Sequence, residues 1–341
     1  MRCSVLIPSH ARPDKLRACL ACLADQTLPA RDYEVLVAID GGPAPDNLVG
    51  AWPVSRAERL RVVPCPKVGQ AALRNTLLAL ASGDTLLFLN DDMRPEPGLL
   101  EAHLRAQARA PSLVIGAAPW VVHHPDRLFD RLVRETSMIF FYDQMDRKLA
   151  SGEASPDHDW GFRHAWMLNL SAPARLVRDA GGIGVFPCTY GYEDDELAFR
   201  IQRLTRVPVR YAPDARAHHD HRMDPGDYLA RERRLGFAAW GFAHAAPECA
   251  LAMFGRDVTS PDHLAACRTL LEFDRPLADR IRPVFAELAE LPGDAIPGPA
   301  HPATDTLLHA IYQQHIPLKR WEFRRGLLDA ALQAGAPGAL G

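Results

Sequence analysis

Short apolar runs alternate with helix-spaced apolar residues over the first 120 residues of the chain. The runs at 5–7, 35–39, 86–89 and 113–116 are continuous rather than alternating, and that at 60–63 is broken only by Arg61, as expected of strands buried on both faces. Between them, Leu16, Cys19, Leu20 and Leu23 follow i, i+3, i+4, i+7 spacing behind Pro13, a residue suited to a first helical turn. Leu73, Leu77 and Leu80 repeat that spacing, as do Leu99, Leu100 and Leu104. Strands and helices in this order predict a mostly parallel sheet covered by helices on both faces.

Further along, Leu128, Leu132, Ile139 and Phe140 predict a helix over 125–149, and the polar stretch 151–159 reads as a loop. A strand is expected at 166–170, then a short helix over 171–180 stopped by Gly181-Gly182. The acids Glu193-Asp194-Asp195-Glu196 open a helix over 197–204, and a strand at 207–211 precedes the group His218, His219 and His221. From about Tyr228 the pattern is helical, interrupted by a Pro/Gly-rich linker at 292–302. The expected organisation is an α/β domain over 1–225 and a helical region over 226–341.

Composition narrows this picture. Hydrophobic residues make up 48% and charged residues 24%, which is globular. A net charge of −3 provides no global basic field, so nucleic acid is not an expected partner. Met1 leads straight into a strand-like segment, so no signal peptide is expected, and no apolar stretch reaches the about 20 residues of a membrane span. The seven cysteines form no secreted framework, so the expected compartment is the cytoplasm, with peripheral membrane contact and homo-oligomers left open. The Cys19/Cys22 pair lies in a helical apolar pattern and is read as core packing.

In open α/β sheets, ligands bind at the carboxyl ends of the strands. Those ends carry Pro8-Ser9-His10, Asp40-Gly41-Gly42 and Asn90-Asp91-Asp92. A single aspartate after a strand is ordinarily a turn or helix cap, but carboxylates gathered on one edge are less expected by chance. The Asp91-Asp92 pair after a buried strand would be costly unless it binds a cation or faces solvent. Hard oxygen ligands beside a cleft suit Mg²⁺ or Mn²⁺ bridging a diphosphate, and a histidine ligand would favour Mn²⁺. The helix dipole accounts for some acids at 193–196, but four exceed what a cap needs, and one could serve as a general base. Spacing alone does not choose among the four.

These segments together resemble family 2 glycosyltransferases of the GT-A fold. Ser4-Val5-Leu6-Ile7-Pro8-Ser9-His10-Ala11-Arg12 resembles the family's first strand and nucleotide-binding turn, and Asp40 matches an aspartate that bonds the base. Gly69, Arg74 and Asn75 resemble a segment that helps hold the nucleotide. Asn90-Asp91-Asp92 is similar to the DXD motif, although Asn90 replaces its first aspartate. Asn169-Leu170-Ser171 with Arg175 resembles the stretch before the acceptor loop, and Gly191-Tyr192-Glu193-Asp194 with Arg200 resembles the ED motif. The likeness spans about residues 2–222.

It implies an inverting transferase with Asp194 as base, Asp91 near the ribose, and Asp92 with His219 on the metal, the choice among His218, His219 and His221 staying open. Pro8, Ser9, Arg12, Asp40, Arg74 and Asn75 complete the implied nucleotide site. The implied partners are a nucleotide-sugar donor, uridine-linked by default, and a hydroxyl acceptor in a surface glycan or other glycoconjugate. A small-molecule or peptide acceptor is the alternative, as is an inactive sugar-nucleotide-binding protein. A dinucleotide oxidoreductase or a nucleotidyltransferase would need a glycine-rich turn after the first strand, which Pro8-Ser9-His10-Ala11-Arg12 lacks. The helical region, with Trp240, Phe242, Phe254 and Trp321, is expected to serve assembly or acceptor recruitment.

Overall fold

The computed structural model describes residues 1–43, 51–187, 190–299 and 301–336. Chain contacts divide it into two units. The first comprises Met1–Val121, Gln144–Val185 and Glu193–His221, and the second Val122–Asp143, Phe186–Tyr192 and Arg222–Gly341.

The first unit is built on eight strands: β1 (Cys3–Ser9), β2 (Tyr33–Asp40), β3 (Leu60–Cys65), β4 (Thr85–Leu89), β5 (Met93–Pro95), β6 (Leu113–Ala117), β7 (Asn169–Pro173) and β8 (Val209–His219). Their order across the sheet is β3-β2-β1-β4-β7-β6-β8-β5. Pairs β1–β2, β2–β3, β1–β4 and β6–β8 are parallel, whereas β7 runs antiparallel to β4 and β6, and β5 to β8. Helices α1 (Pro13–Ala24), α2 (Gln70–Leu80), α3 (Leu99–Arg109), α6 (Ala174–Asp179) and α7 (Glu193–Thr205) flank this sheet. On α1, the buried residues are the four that the spacing selected, Leu16, Cys19, Leu20 and Leu23. Both Cys19 and Cys22 are free thiols.

β1, β4 and β6 are wholly buried, matching their continuous apolar runs. β3 is only partly buried, because it lies at the sheet edge. Pro8 lies beyond the last β1–β4 pair, Leu6 with Phe88, so its missing N–H breaks no bond to β4.

Three expected elements differ. The strand expected at 166–170 occupies Asn169–Pro173, and helix α6 starts only after Pro173. Polar side chains obscured the bounds of this strand: Asn169 donates to the Ala117 and Ala215 carbonyls, and its Oδ1 and Ser171 Oγ contact the two nitrogens of buried His103. The single helix over 125–149 is two, α4 (Leu128–Glu135) and α5 (Tyr142–Ser151). Between them Thr136 is extended and donates its hydroxyl to Leu132 O, while Ser137 bonds Asp143, so local bonds compete with the helix. β8 runs to His219, placing His218 and His219 on the strand instead of after it.

In the second unit, α4 is joined by α8 (Pro225–Ala245), α9 (Pro247–Phe254), α10 (Pro261–Glu287) and α11 (Thr304–Gln333). α8 and α11 meet backbone to backbone at two glycines. A Cβ at Gly236 would lie 1.9 Å from Phe323 O, and one at Gly326 would lie 1.9 Å from Arg233 O. Phe129, Tyr228, Phe285 and His315 form an aromatic core in which Tyr228 Oη lies 3.1 Å from His315 Nε2. Phe242 and Trp321 are buried. Among the described residues no helix is long and apolar enough to cross a membrane.

Candidate active site

β1 ends at Ser9, and the chain turns sharply through Ala11, whose φ of 52° is left-handed and unusual for a residue with a side chain. The turn aims Arg12 back at the acids after β4. Arg12 Nη2 donates to Asp91 Oδ1 at 2.5 Å and Nη1 to Asp92 Oδ2 at 2.6 Å, while Ser9 Oγ donates to Asp91 Oδ2 at 2.7 Å. Asp91 is fully buried and Asp92 nearly so. Burial raises Asp91 to about 6, with Arg12 opposing and the Asp92 charge adding to the rise. Burial acts the same way on Asp92, but His219, Arg12 and His221 outweigh it and hold that carboxyl well below the usual range.

The histidines sort by strand alternation. His218 turns away from these acids, its Nε2 lying 2.9 Å from Glu96 Oε1. His219 Nε2 and His221 Nδ1 lie 3.6 and 3.7 Å from Asp92 Oδ2, and the His219 ring packs tilted against Trp120 with centroids 4.3 Å apart. Between them, Asp220 donates its amide to Asp92 O at 2.7 Å. Its buried carboxylate accepts from Lys15 Nζ at 2.7 Å and Arg94 Nε at 2.8 Å, which fixes the histidine-bearing strand end against the Asp92 turn. Lys15, Arg94 and Asp220 were not expected at the site; the only cue was Lys15 lying one helical turn after Arg12.

Asp92 Oδ1 is buried and has no hydrogen-bond partner among the described residues. An unpaired carboxylate oxygen beside two imidazoles fits a divalent cation. Among the described residues no group of three or more His, Cys, Asp or Glu side chains is arranged to hold a metal. A cation on Asp92 and an imidazole therefore needs further oxygens, as Mg²⁺ and Mn²⁺ commonly take from a bound diphosphate.

A second cluster adjoins the first at Asn90. Arg74 is only 2% exposed, yet it faces three polar partners: Nη2 donates to Asn90 Oδ1 at 3.1 Å, and Nη1 lies 3.3 Å from Glu193 Oε1 and 3.4 Å from Asp194 Oδ1. This guanidinium ties the Asn90-Asp91-Asp92 segment to the start of α7. Asp194 Oδ2 accepts from Met167 N at 2.8 Å. Packed among protein atoms, Asp194 nevertheless keeps 24% of its side-chain surface open. Burial raises it to about 6 despite Arg74, with help from the Glu193 charge. Asp195 is pushed well above the carboxylate range by burial and by Asp194 and Glu193.

Asp40 and Asn75 shape the surrounding loops. Asp40 Oδ1 accepts from Val68 N at 2.7 Å and Gly69 N at 3.2 Å, at the left-handed turn (Gly69 φ 84°) that begins α2. Its other oxygen has no partner among the described residues. Asn75 bonds both N–H and C=O of Ile183 at 2.8 Å, clamping the turn after α6. Thus Ser9, Arg12, Asp91, Asp92 and His219 form one cluster and Arg74 with Asp194 a second; Asp40 joins the first through His10, whose Nδ1 lies 2.8 Å from Asp40 O. Asn75 contacts neither.

The chain is similar in sequence and fold to known proteins. Residues 4–168 match the family model described as Glycosyl transferase family 2. The chain is 27% identical over 254 residues to a pre-mycofactocin glycosyltransferase of Mycobacterium tuberculosis, covering 72% of this chain and 48% of that protein. It is 30% identical over 217 residues to a validoxylamine A glucosyltransferase of Streptomyces hygroscopicus, covering 58% and 50%. The chain spans about half the length of these curated relatives. Among solved structures, mannosyltransferase PcManGT from Pyrobaculum calidifontis, in complex with GDP-Man and Mn²⁺, superimposes with a TM-score of 0.53 at 17% identity, covering 97% of this chain and 86% of that one. The S. aureus TarS fragment 1–349 gives 0.50 at 13%, covering 98% and 92%. The sheet is that of the GT-A fold, and residues 4–168 carry the match to glycosyl transferase family 2.

Proposed function

We propose that the chain moves a sugar from a nucleotide-sugar donor to an acceptor hydroxyl in one displacement that inverts the anomeric centre. The observation that carries this reading is the buried Arg74 guanidinium, which joins Asn90, beside the diphosphate acids, to Asp194, a carboxylate poised near neutral pH. A sugar hydroxyl is a poor nucleophile, and a base with a pKa near the working pH accelerates its attack by roughly 10² to 10⁴. Asp194 takes the hydroxyl proton. Arg12 and Ser9 meet the diphosphate, and the unpaired oxygen of Asp40 accepts from the base. Asp92 with His219 or His221 would hold a divalent cation, Mn²⁺ in preference to Mg²⁺. When bound, that ion supplies Lewis-acid neutralisation of the leaving diphosphate. Arg74 positions Asn90 and Asp194, while Asn75 holds the turn after α6.

Uridine remains the default base, with guanosine the competitor, since PcManGT was solved with GDP-Man. The two curated relatives are each named for one defined compound, which supports a small-molecule or peptide acceptor over a surface polysaccharide. The test is a panel of UDP- and GDP-sugars with and without Mn²⁺, read by melting temperature and nucleoside diphosphate release. A ligand at about 100 times its dissociation constant adds about 2.7 kcal/mol, well within reach of a melting curve. Metal-dependent release from one donor class is expected. Binding without turnover would make the chain a sugar-nucleotide-binding protein, and neither binding nor release would refute the reading.

A further inference from the structure

The helical unit contains a cavity of about 340 Å³ between α8, α9, α10 and α11, remote in sequence from the glycosyl-transfer motifs. Phe254, Val258, Leu270, Phe323 and Leu327 give it apolar walls. Its charged lining is lopsided: Arg256, Lys319, Arg320 and Arg324 against one acid, Glu232. Two of these cations are answered within the unit, Lys319 by Glu232 at 3.8 Å and Arg324 by Asp274 at 2.7 Å. Arg256 and Arg320 have no ion-pair or hydrogen-bond partner among the described residues. Apolar walls with a few convergent polar groups are the usual make-up of a small-molecule site.

We propose that this pocket binds an anionic amphiphile, with an apolar body against the aromatic and leucine walls and one carboxylate or phosphate on Arg256 and Arg320. A guanidinium matches either head group through paired N–H donors. Leu270 lines the pocket, and Phe273, one turn further along α10, is 79% exposed, so apolar surface continues beyond the pocket for a longer tail. The wall also holds Cys267, whose Sγ lies 3.4 Å from His263 Nε2. Burial pushes this thiol up and the imidazole down, so the pair is neutral and supplies no thiolate nucleophile. The pocket is a binding site and not a second catalytic centre.

Calorimetry on the full chain tests this with octanoate and octyl phosphate, using octylammonium and octanol as controls. One anion per chain is expected to bind, with the tighter of the two identifying the head group, and saturating nucleoside diphosphate should leave that binding unchanged. Charge-assisted hydrogen bonds of this kind correspond to about tenfold or more in affinity. The double variant Arg256→Gln/Arg320→Gln should therefore weaken anion binding by at least about tenfold while leaving octanol unchanged. Leu270→Trp, at a partly exposed position, should fill the cavity and block both. No saturable anion binding, equal binding of octylammonium, competition by nucleoside diphosphate, or an unaffected double variant would overturn the proposal.

Discussion

Arg12 Nη1 lies 2.6 Å from Asp92 Oδ2, so an arginine from the first strand's turn supplies the positive charge beside a buried carboxylate. The Arg12 side chain is 34% exposed and can swing outward, whereas Asp91 and Asp92 cannot. A diphosphate entering the site offers Arg12 a second anion and leaves Asp92 to a metal. Arg12→Ala should therefore bind Mn²⁺ without nucleotide at least about tenfold more tightly, because the two carboxylates lose the arginine that neutralises both. The same variant should bind nucleoside diphosphate more weakly by about 1–3 kcal/mol. Electron paramagnetic resonance of Mn²⁺ reads the first and calorimetry the second. Unchanged Mn²⁺ affinity would mean that Arg12 and the metal do not compete.

Arg74 should matter to both stability and rate. Arg74→Met leaves Asn90, Glu193 and Asp194 without their shared donor. The expected loss is roughly 1–3 kcal/mol in urea unfolding, the range for stranding buried polar partners. Arg74→Lys restores charge but not the two-pronged geometry, so it should recover stability more than kcat. A Met variant with unchanged stability and rate would remove Arg74 from its bridging role.

Asp40 separates loop shaping from base recognition. Asp40→Asn keeps an oxygen for the Val68 and Gly69 amides, while Asp40→Ala removes it. Calorimetry should show nucleoside diphosphate binding weakened by about 1–3 kcal/mol in the alanine variant. If the free oxygen accepts from the base, the asparagine variant should also lose affinity and change its preference among bases. Equal affinity in all three proteins would disconnect Asp40 from the nucleotide.

The legible parts of the chain were those where burial and polarity agree. Continuous apolar runs marked β1, β4 and β6, and the strand ends they defined carry Ser9, Arg12, Asp91 and Asp92, which lie within hydrogen-bonding reach in the fold. Strand β7 was expected three residues early because Asn169 and Ser171 are buried through hydrogen bonds instead of apolar contact, and β8 was cut short because Asp214, Arg216 and His218 interrupt its apolar pattern. Once β8 is extended, period-two alternation alone separates His218 from His219. A buried arginine is another matter: no local pattern distinguishes Arg74 from a surface arginine, since its three partners lie 16, 119 and 120 residues away.

The pH dependence follows from Asp194, which must be ionised to accept a proton. With its carboxyl raised to about 6, kcat/KM should fall on the acid side with a midpoint near that value. The sign for stability is the reverse: the folded state holds this proton more tightly than the unfolded chain, so its contribution is full below the unfolded value of 3.8 and lost as pH rises through about 6. Glu193→Gln removes a charge that raises Asp194 and should move the acid limb to lower pH. A limb that moves upward or stays fixed would assign it to another group.

The most direct test is Asp194→Asn, assayed for donor binding, transfer and product configuration. The amide keeps the side chain's size and an acceptor for Met167 N but cannot take a proton. Donor and Mn²⁺ affinities should match those of the unmodified protein while transfer falls at least about a hundredfold. The product formed by the unmodified protein should carry the inverted anomeric configuration. Near-normal transfer by Asp194→Asn, or a product that retains the donor's configuration, would contradict a single displacement with Asp194 as its base.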